Sequence, residues 1–403
     1  MREELKQCVT LKHDIRHSWG PPSRQPFRSL AKWKLVSTRS CPIHDTRSIF
    51  NAIYGRRQAM SRAYGAAVAG WMMVMLFGVT GCIGGGPLGQ PVLIKRTQMH
   101  MGTLVTITSV AADRQTAYDA ATAGFQEIHR LEQLLSTWIP TSELSRVNEA
   151  AGHAPVTVAP ETMDVLAASL EIARLTEGRF NIVVGPAVQA WSVLDRQQIP
   201  TDSELSVIRP LTDLAALHLD RDRGTVFLAR TGMQVDVGGI GKGFAADRAV
   251  IAMQRVGATA GVVALSGDMK TFGRLPGGAA FPFAIRHPRR EGEVLAYVDL
   301  ADEAISTAGD YERYFERDGV RYHHILDPST LQPARDCQSV TVVAHDGTMA
   351  DGLDTGIFVL GPRKGLEIVD RLPGVGAVIV DREGTVWVSS ALRGKVRINE
   401  QRE

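Results

Sequence analysis

Residues Met233 to Gly257 read MQVDVGGIGKGFAADRAVIAMQRVG, and this stretch decides the fold class. Met233, Val235 and Val237 alternate with Gln234 and Asp236, the period of a strand. Glycines at 238, 239 and 241 turn the chain, and the run that follows reads as a helix. A strand–turn–helix unit invites a doubly wound sheet, but its neighbours do not continue the rhythm. GVVALSG, FPFAIRHP and VLAYVDL follow as strands punctuated by Gly and Pro. Strands and helices that interleave without strict alternation predict an α+β protein.

Working outward, VLIKRTQMHMGTLVTITSV predicts two strands, and Ala112 to Leu135 a long helix with Ala117, Ala121, Phe125, Ile128, Leu131 and Leu135 on one side. Thr141-Ser142 with Glu143 starts a short helix, and Pro160 to Leu175 forms another. RFNIVVGP reads as a strand, and Leu217–Asp220 with Thr225–Leu228 as a hairpin. SVTVVAH, GAVIVD and GTVWVSS are strands, with helices at Gly347–Leu360, stopped by Gly361-Pro362, and at Lys364–Leu372. No repeat is visible at solenoid periods. No linker divides Val92–Asn399, so residues 92–403 are expected to form one catalytic unit.

The 403 residues carry a net charge of +2, which averages two unlike parts. Residues 1–59 hold 12 Lys+Arg and 4 Asp+Glu, so the rest of the chain is acidic, at −6. An acidic body gives no electrostatic reason to expect nucleic-acid binding. From Ala66 to Val79 run 14 residues without a charge, preceded by Arg56, Arg57 and Arg62 and followed by Thr80, Gly81 and Cys82. A positive flank, a short apolar core and small residues make a secretory signal, and the run is too short to span ~30 Å of hydrocarbon comfortably. Val79-Thr80-Gly81-Cys82 resembles a bacterial lipobox, with Cys82 the lipidated first residue of the mature chain; a plain signal with a chance cysteine is the alternative. The expectation is a protein of the bacterial cell envelope, lipid-anchored and facing the periplasm. Residues 60–81 would then be the signal and 82–91 a Gly/Pro-rich tether. Translation is expected to start at Met60, leaving residues 1–59 as an upstream extension. Of the other cysteines, Cys8 and Cys41 would be lost and Cys337 left alone, so no disulfide framework is expected.

The glycine turn fails two nucleotide signatures. Lys242 is followed by Gly243 rather than Ser or Thr, and Gly239-x-Gly241 is followed three residues later by Phe244. Glycines next to a helix start still permit anion binding, with Asp236 and Lys242 as candidate contacts, against a tight turn with surface charges. In MADGLDTGIF, Asp351, Asp354 and Thr355 stand at i, i+3 and i+4 and share one helical face. That face is either solvated or a site for a hard cation such as Mg²⁺, which seeks carboxylate and hydroxyl oxygens. His323 and His324 end a strand-like run and face opposite sides, so at most one of them serves a site. Ser306, Thr307 and Gly309 resemble a polar turn, and Ser266-Gly267-Asp268 a turn and little more.

Taken together, MGTLVTI, LLSTW with SELSRVN, GRFNIVVGP, DVGGIGKGFAADRA, LSGD, STAGDYERYF, YHHILDP and ADGLDTGIFVLG occur in the order and form of the ApbE family, the FAD:protein FMN transferases, which this chain resembles from about Val92 to its C-terminus. The resemblance implies a single ApbE-like, T-fold-like catalytic domain. It implies Mg²⁺-dependent transfer of FMN from FAD to a threonine hydroxyl of an acceptor protein through a phosphoester, with AMP released. The acceptors expected are membrane redox subunits in the same compartment. By position, Asp351, Asp354 and Thr355 match the magnesium ligands, with the backbone carbonyl near Gly239 completing the set. Met101, Trp138, Arg179, Phe180, Asn181, Asp236, Lys242 and Ile325 match FAD-contacting positions. His324 is the candidate for proton transfer or substrate positioning and, with Asp351, the candidate catalytic residue; an ordinary histidine pKa of ~6.5 suits proton transfer near neutrality. The chain departs from the family pattern at Asn181, where many members have Asp, at Trp138, and at Ser266 and Ala308. An FAD pyrophosphatase giving FMN and AMP, and a non-catalytic periplasmic FAD-binding lipoprotein, are the alternatives.

Overall fold

A two-residue turn at Met101-Gly102 folds the first strand back on the second, so that His100 pairs with Thr103. Both turn residues have positive φ, 49° and 68°, the geometry whose twist matches paired strands. The computed structural model describes residues 90–399, all within one compact unit. Its centre is an eight-stranded sheet: β1 (Val92–His100), β2 (Thr103–Ala111), β3 (Ala260–Leu265), β4 (Asp268–Phe272), β5 (Ala304–Gly309), β6 (Cys337–Ala344), β7 (Gly376–Asp381) and β8 (Val386–Val388). The strands lie side by side in chain order, each antiparallel to the next.

Helices α1 (Arg114–Leu135), α3 (Gly241–Val256) and α4 (Gly347–Leu360) pack on one face, with α2 (Pro160–Leu175) against α4. Residues Ala117, Ala121, Phe125, Ile128, Leu131 and Leu135 of α1 are buried, and Ile107 on β2 and Met253 on α3 share their core. On the other face, a small sheet of Phe281–Arg286, Val294–Leu300 and Arg397–Ile398 packs Ile285, Val298 and Leu300 against Ile305, Val343, Val378 and Val380. The alternation of the main strands keeps the faces apart: on β7, Ala377 and Ile379 join the helix side while Val378 and Val380 join the sheet side.

The α+β class, the long helices and the hairpin Leu217–Asp220/Thr225–Leu228 match the sequence reading. Three local expectations do not. Met233–Val237 is extended but pairs with no strand, because the Asn148 side-chain amide takes both backbone groups of Val235, at 2.7 and 3.0 Å. RFNIVVGP is not a strand: Asn181 Oδ1 accepts the Val183 N–H at 2.8 Å and bends the chain into an Asx turn, which leads into the short helix Gly185–Trp191. Ser306 and Thr307 are not a turn but lie inside β5. The signal, the lipobox Cys82 and the upstream extension lie outside the described residues. Among the described residues no helix is long and apolar enough to cross a membrane.

Candidate active site

Helix α4 begins at a doubly held N-terminus. Its own N-cap Asp346 accepts the Met349 N–H at 2.7 Å, while Asp247 of α3 accepts the N–H groups of Gly347 and Thr348 at 2.7 and 2.9 Å. Orphan N–H groups of a helix start are thereby paired with carboxylates. The apolar residues Ala350, Leu353, Ile357 and Phe358 sink into the core, and this anchoring carries Asp351 and Asp354 inward with them. Both carboxylates are buried, 3% and 2% exposed, which excludes the solvated-helix alternative.

The close approach of α3 to α4 depends on Gly243, where a Cβ would overlap the Gly347 carbonyl oxygen. At that crossing the Gly243 N–H donates to Asp351 Oδ2 at 2.8 Å, so an N–H at the start of α3 serves a carboxylate of this same chain. From the sheet, β4 brings Asp268 and β5 brings Ser306. The Ser306 hydroxyl lies against Asp268 Oδ1 and is 2.6 Å from Asp354 Oδ2. One carboxylate oxygen each from Asp268, Asp351 and Asp354 lies within 4.8 Å of the others. Lys242, on the first turn of α3, pairs with Asp268 through its Nζ.

Three buried carboxylates beside one ammonium leave an excess of negative charge, and the groups respond to it. Burial, then the Asp268 charge, pushes Asp351 well above the usual carboxylate range, against the pull of Lys242 and the Gly243 N–H. Burial and the charges of Asp351 and Asp268 push Asp354 up as well. Burial pulls the Lys242 ammonium down, but Asp268, Asp351 and Asp354 outweigh it and hold it above its ordinary value. An all-oxygen, carboxylate-rich donor set fits a hard divalent cation. Thr355 Oγ1 donates to Asp354 Oδ1 at 3.1 Å, and a Cβ at Gly239 would sit 3.2 Å from Thr355 Oγ1. The residues predicted for magnesium are therefore gathered at one place.

Among the residues predicted to touch FAD, Phe180 is buried with its ring beside Gly239, and Met101 lies beside Gly241. Asp236 sits at the glycine turn and accepts the Gly238 N–H at 2.7 Å. Asn181 uses both ends of its amide within the protein, donating to the Thr212 carbonyl at 2.9 Å besides accepting from Val183. Arg179 donates to Asp327 at 2.8 Å and Ser329 at 2.6 Å. Ile325 is buried, and Trp138 stands 85% exposed after α1.

The two histidines divide as their strand position requires. His323 is buried edge-on to Phe358, with Nε2 2.7 Å from the Ala334 carbonyl and Nδ1 accepting the Ile325 N–H at 3.2 Å. His324 faces the other way, with Nδ1 3.2 Å from the Arg313 carbonyl oxygen. A carbonyl only accepts, so Nδ1 carries the proton and Nε2 keeps its lone pair. Burial, then the charges of Arg313, His323 and Lys242, pushes His324 down to about 3. It is a neutral hydrogen-bonding group at pH 7, which favours substrate positioning over the near-neutral proton transfer expected from an ordinary histidine.

Asp268 and Ser306 were missed as site residues. Both lie at strand positions on the helix-facing side of the sheet and reach the site only through the β4–β5 pairing. Both strands carry further polar residues, DMKTF and AISTAG, so no local pattern marks these two, and the one sequence signal was their place in the family motifs LSGD and STAGDYERYF.

The ApbE family model matches residues 101–379. The FAD:protein FMN transferase of Salmonella typhimurium is 34% identical over 299 residues, covering 72% of this chain and 85% of that protein. That of Treponema pallidum is 33% identical over 351 residues, covering 83% of this chain and 96% of its own length. In solved structures, the ApbE protein of Thermotoga maritima superposes with a TM-score of 0.70 at 30% identity, over 75% of this chain and 99% of that one. The flavin transferase ApbE of Vibrio cholerae gives 0.68 at 27% identity, over 76% and 99%. With the family model spanning more than half of its residues, and the core strands and helices in the matching arrangement, the chain belongs to the ApbE family.

Proposed function

We propose that this protein transfers the FMN moiety of FAD to a threonine hydroxyl of an acceptor protein, forming a phosphoester and releasing AMP. The observation that carries this is the buried set of Asp268, Asp351 and Asp354 with Lys242 and Ser306, in a chain of a family whose similar members are FAD:protein FMN transferases. Asp351, Asp354, Thr355 and the carbonyl of Gly239 would hold a magnesium ion, with Asp268 as an additional carboxylate beside them. When bound, that ion supplies neutralisation of the charge that develops on the pyrophosphate.

The protein's own groups do the rest. Lys242, held protonated by three carboxylates, keeps a cation at the start of α3 for a phosphate oxygen. Ser306 fixes Asp268 and Asp354 relative to one another. Half-buried Met101 gives apolar surface beside the glycine turn for the flavin, and Phe180 backs the turn at Gly239 from the core. Trp138 offers an exposed indole on which a ring system can stack. His324 Nε2 accepts a hydrogen bond from the incoming hydroxyl and orients it toward the phosphorus. Cys82, by the lipobox reading, would tether the domain to a membrane of the cell envelope, facing the periplasm and the redox subunits there that it modifies.

The test is incubation of the purified chain with FAD, Mg²⁺ and an acceptor carrying a flavinylation threonine. Covalent flavin fluorescence on the acceptor supports transfer. Release of free FMN and AMP without labelling replaces the proposal with hydrolysis, and unchanged FAD replaces it with binding alone. Intact mass of the native protein tests the rest: a lipidated N-terminal Cys82 is expected, and peptides from residues 1–59 would contradict it.

A further inference from the structure

A second constellation of metal-ligating groups lies at the β1–β2 turn, made of different residues from the acidic set. His100 ends β1, and His129 and Glu132 stand three residues apart on α1, the spacing that puts side chains on one helical face. One donor atom from each lies within 4.8 Å of the others. Here the donors are two imidazoles and one carboxylate, a set that suits zinc-class transition metals rather than Mg²⁺.

The two half-buried members are already oriented. His100 Nε2 lies 3.0 Å from Gln98 Oε1, an oxygen that only accepts, so the ring proton sits on Nε2 and the Nδ1 lone pair is left facing Glu132. Glu132 Oε1 accepts the Met101 N–H at 2.7 Å, and its other oxygen is directed at the imidazole. Metal-binding histidines are fixed in this way, through a hydrogen bond from the other ring nitrogen. The gap between His100 Nδ1 and Glu132 Oε2 is 3.7 Å, too long for a direct hydrogen bond. Two ligands of a tetrahedral ion with bonds of about 2.0–2.2 Å stand roughly 3.4 Å apart, close to that gap. His129 is exposed, so it approaches the ion from the solvent side and leaves a fourth position to water.

We propose that His100, His129 and Glu132 form a binding site for a zinc-class divalent ion, clamping the β1–β2 turn to α1. The site does not depend on the flavin chemistry proposed above. Because Glu132 also holds the Met101 N–H, occupancy stiffens the turn that presents Met101 to the glycine loop.

The experiment titrates the chelator-stripped full chain with Zn²⁺ in saturating Mg²⁺ and measures bound zinc by equilibrium dialysis, beside His129→Ala, Gln98→Ala and Asp351→Ala. His129→Ala is expected to bind one equivalent fewer than the wild type and to lose the zinc-dependent rise in Tm. Gln98→Ala is expected to keep the equivalent with affinity lowered about 10–100-fold, and Asp351→Ala to keep it unchanged. Equal zinc uptake and an equal rise in Tm in His129→Ala overturn the proposal, as does loss of this same equivalent in Asp351→Ala.

Discussion

The two faces of the main sheet are built from the same strands and do opposite things. Toward the small sheet, Ile305, Val343, Val378 and Val380 present an apolar layer. Toward the helices, alternate positions on β4 and β5 carry Asp268 and Ser306 into a buried site. A buried carboxylate costs free energy unless it is paired, and three of them beside one lysine are not fully paired. The helix-side face therefore gives up stability that the sheet-side face supplies. Substitutions on the two sides should separate activity from stability.

The largest effect is expected on the helix side. Asp354→Ala or Asp351→Ala removes a carboxylate of the proposed metal site, and FMN transfer should fall by at least about 100-fold, the equivalent of a several-kcal/mol loss of charge stabilisation. The relief of like-charge repulsion offsets the loss of the hydrogen bonds from Gly243 or Ser306, so Tm should change little; a loss of activity that tracks unfolding would erase the contrast between the faces. On the other side, Leu300 is 1% exposed in the small sheet. Leu300→Ala should cost about 2–5 kcal/mol in denaturant unfolding while kcat stays near the wild-type value.

A third test uses pH at the edge of the site. Burial pushes His323 down to about 4 from an ordinary 6.5. The folded state thus prefers the neutral ring, and between these values the unfolded chain binds the extra proton. Stability from this group is present above pH 6.5 and lost as pH falls toward 4, amounting to about 3 kcal/mol across the window. Urea melts in that range should show the loss, and His323→Gln should remove about half of it, leaving the part that the neighbouring buried His324 contributes over the same window. The smallest effect belongs to Trp138: replacing its exposed indole with Ala should raise KM for FAD about 3–10-fold with kcat held, the size of one stacking contact.

What could be read in advance followed from local periodicity. The i, i+3, i+4 spacing placed Asp351, Asp354 and Thr355 on one face of α4, and the apolar spacing of α1 and α4 marked their buried sides. The alternation of period two on a strand assigned His323 and His324 to opposite sides. Contributions from distant chain segments were not legible. Asp268 and Ser306 join the site only because β4 and β5 pair, and no local pattern distinguishes such a strand residue from a turn residue. Met233–Val237 has the alternation of a strand, yet the amide of Asn148, from a remote helix, satisfies Val235 in place of a neighbouring strand. In RFNIVVGP the apolar run suggested a strand, but a single Asx turn at Asn181 overrode it. The pKa of His324 was likewise out of reach, since its depression comes from burial and from charges brought near by folding.

The central claim is that the buried carboxylates of the helix-side face exist for flavin transfer rather than for folding. Intact-mass analysis of an acceptor protein after incubation with FAD and Mg²⁺, run with wild-type enzyme and with Asp354→Asn alongside their thermal melts, tests it most directly. The expected result is one FMN on the acceptor threonine with wild type only when Mg²⁺ is present, and none with Asp354→Asn, which melts no lower than the wild type. An acceptor labelled equally by Asp354→Asn, or a variant that is inactive because it no longer folds, would contradict it.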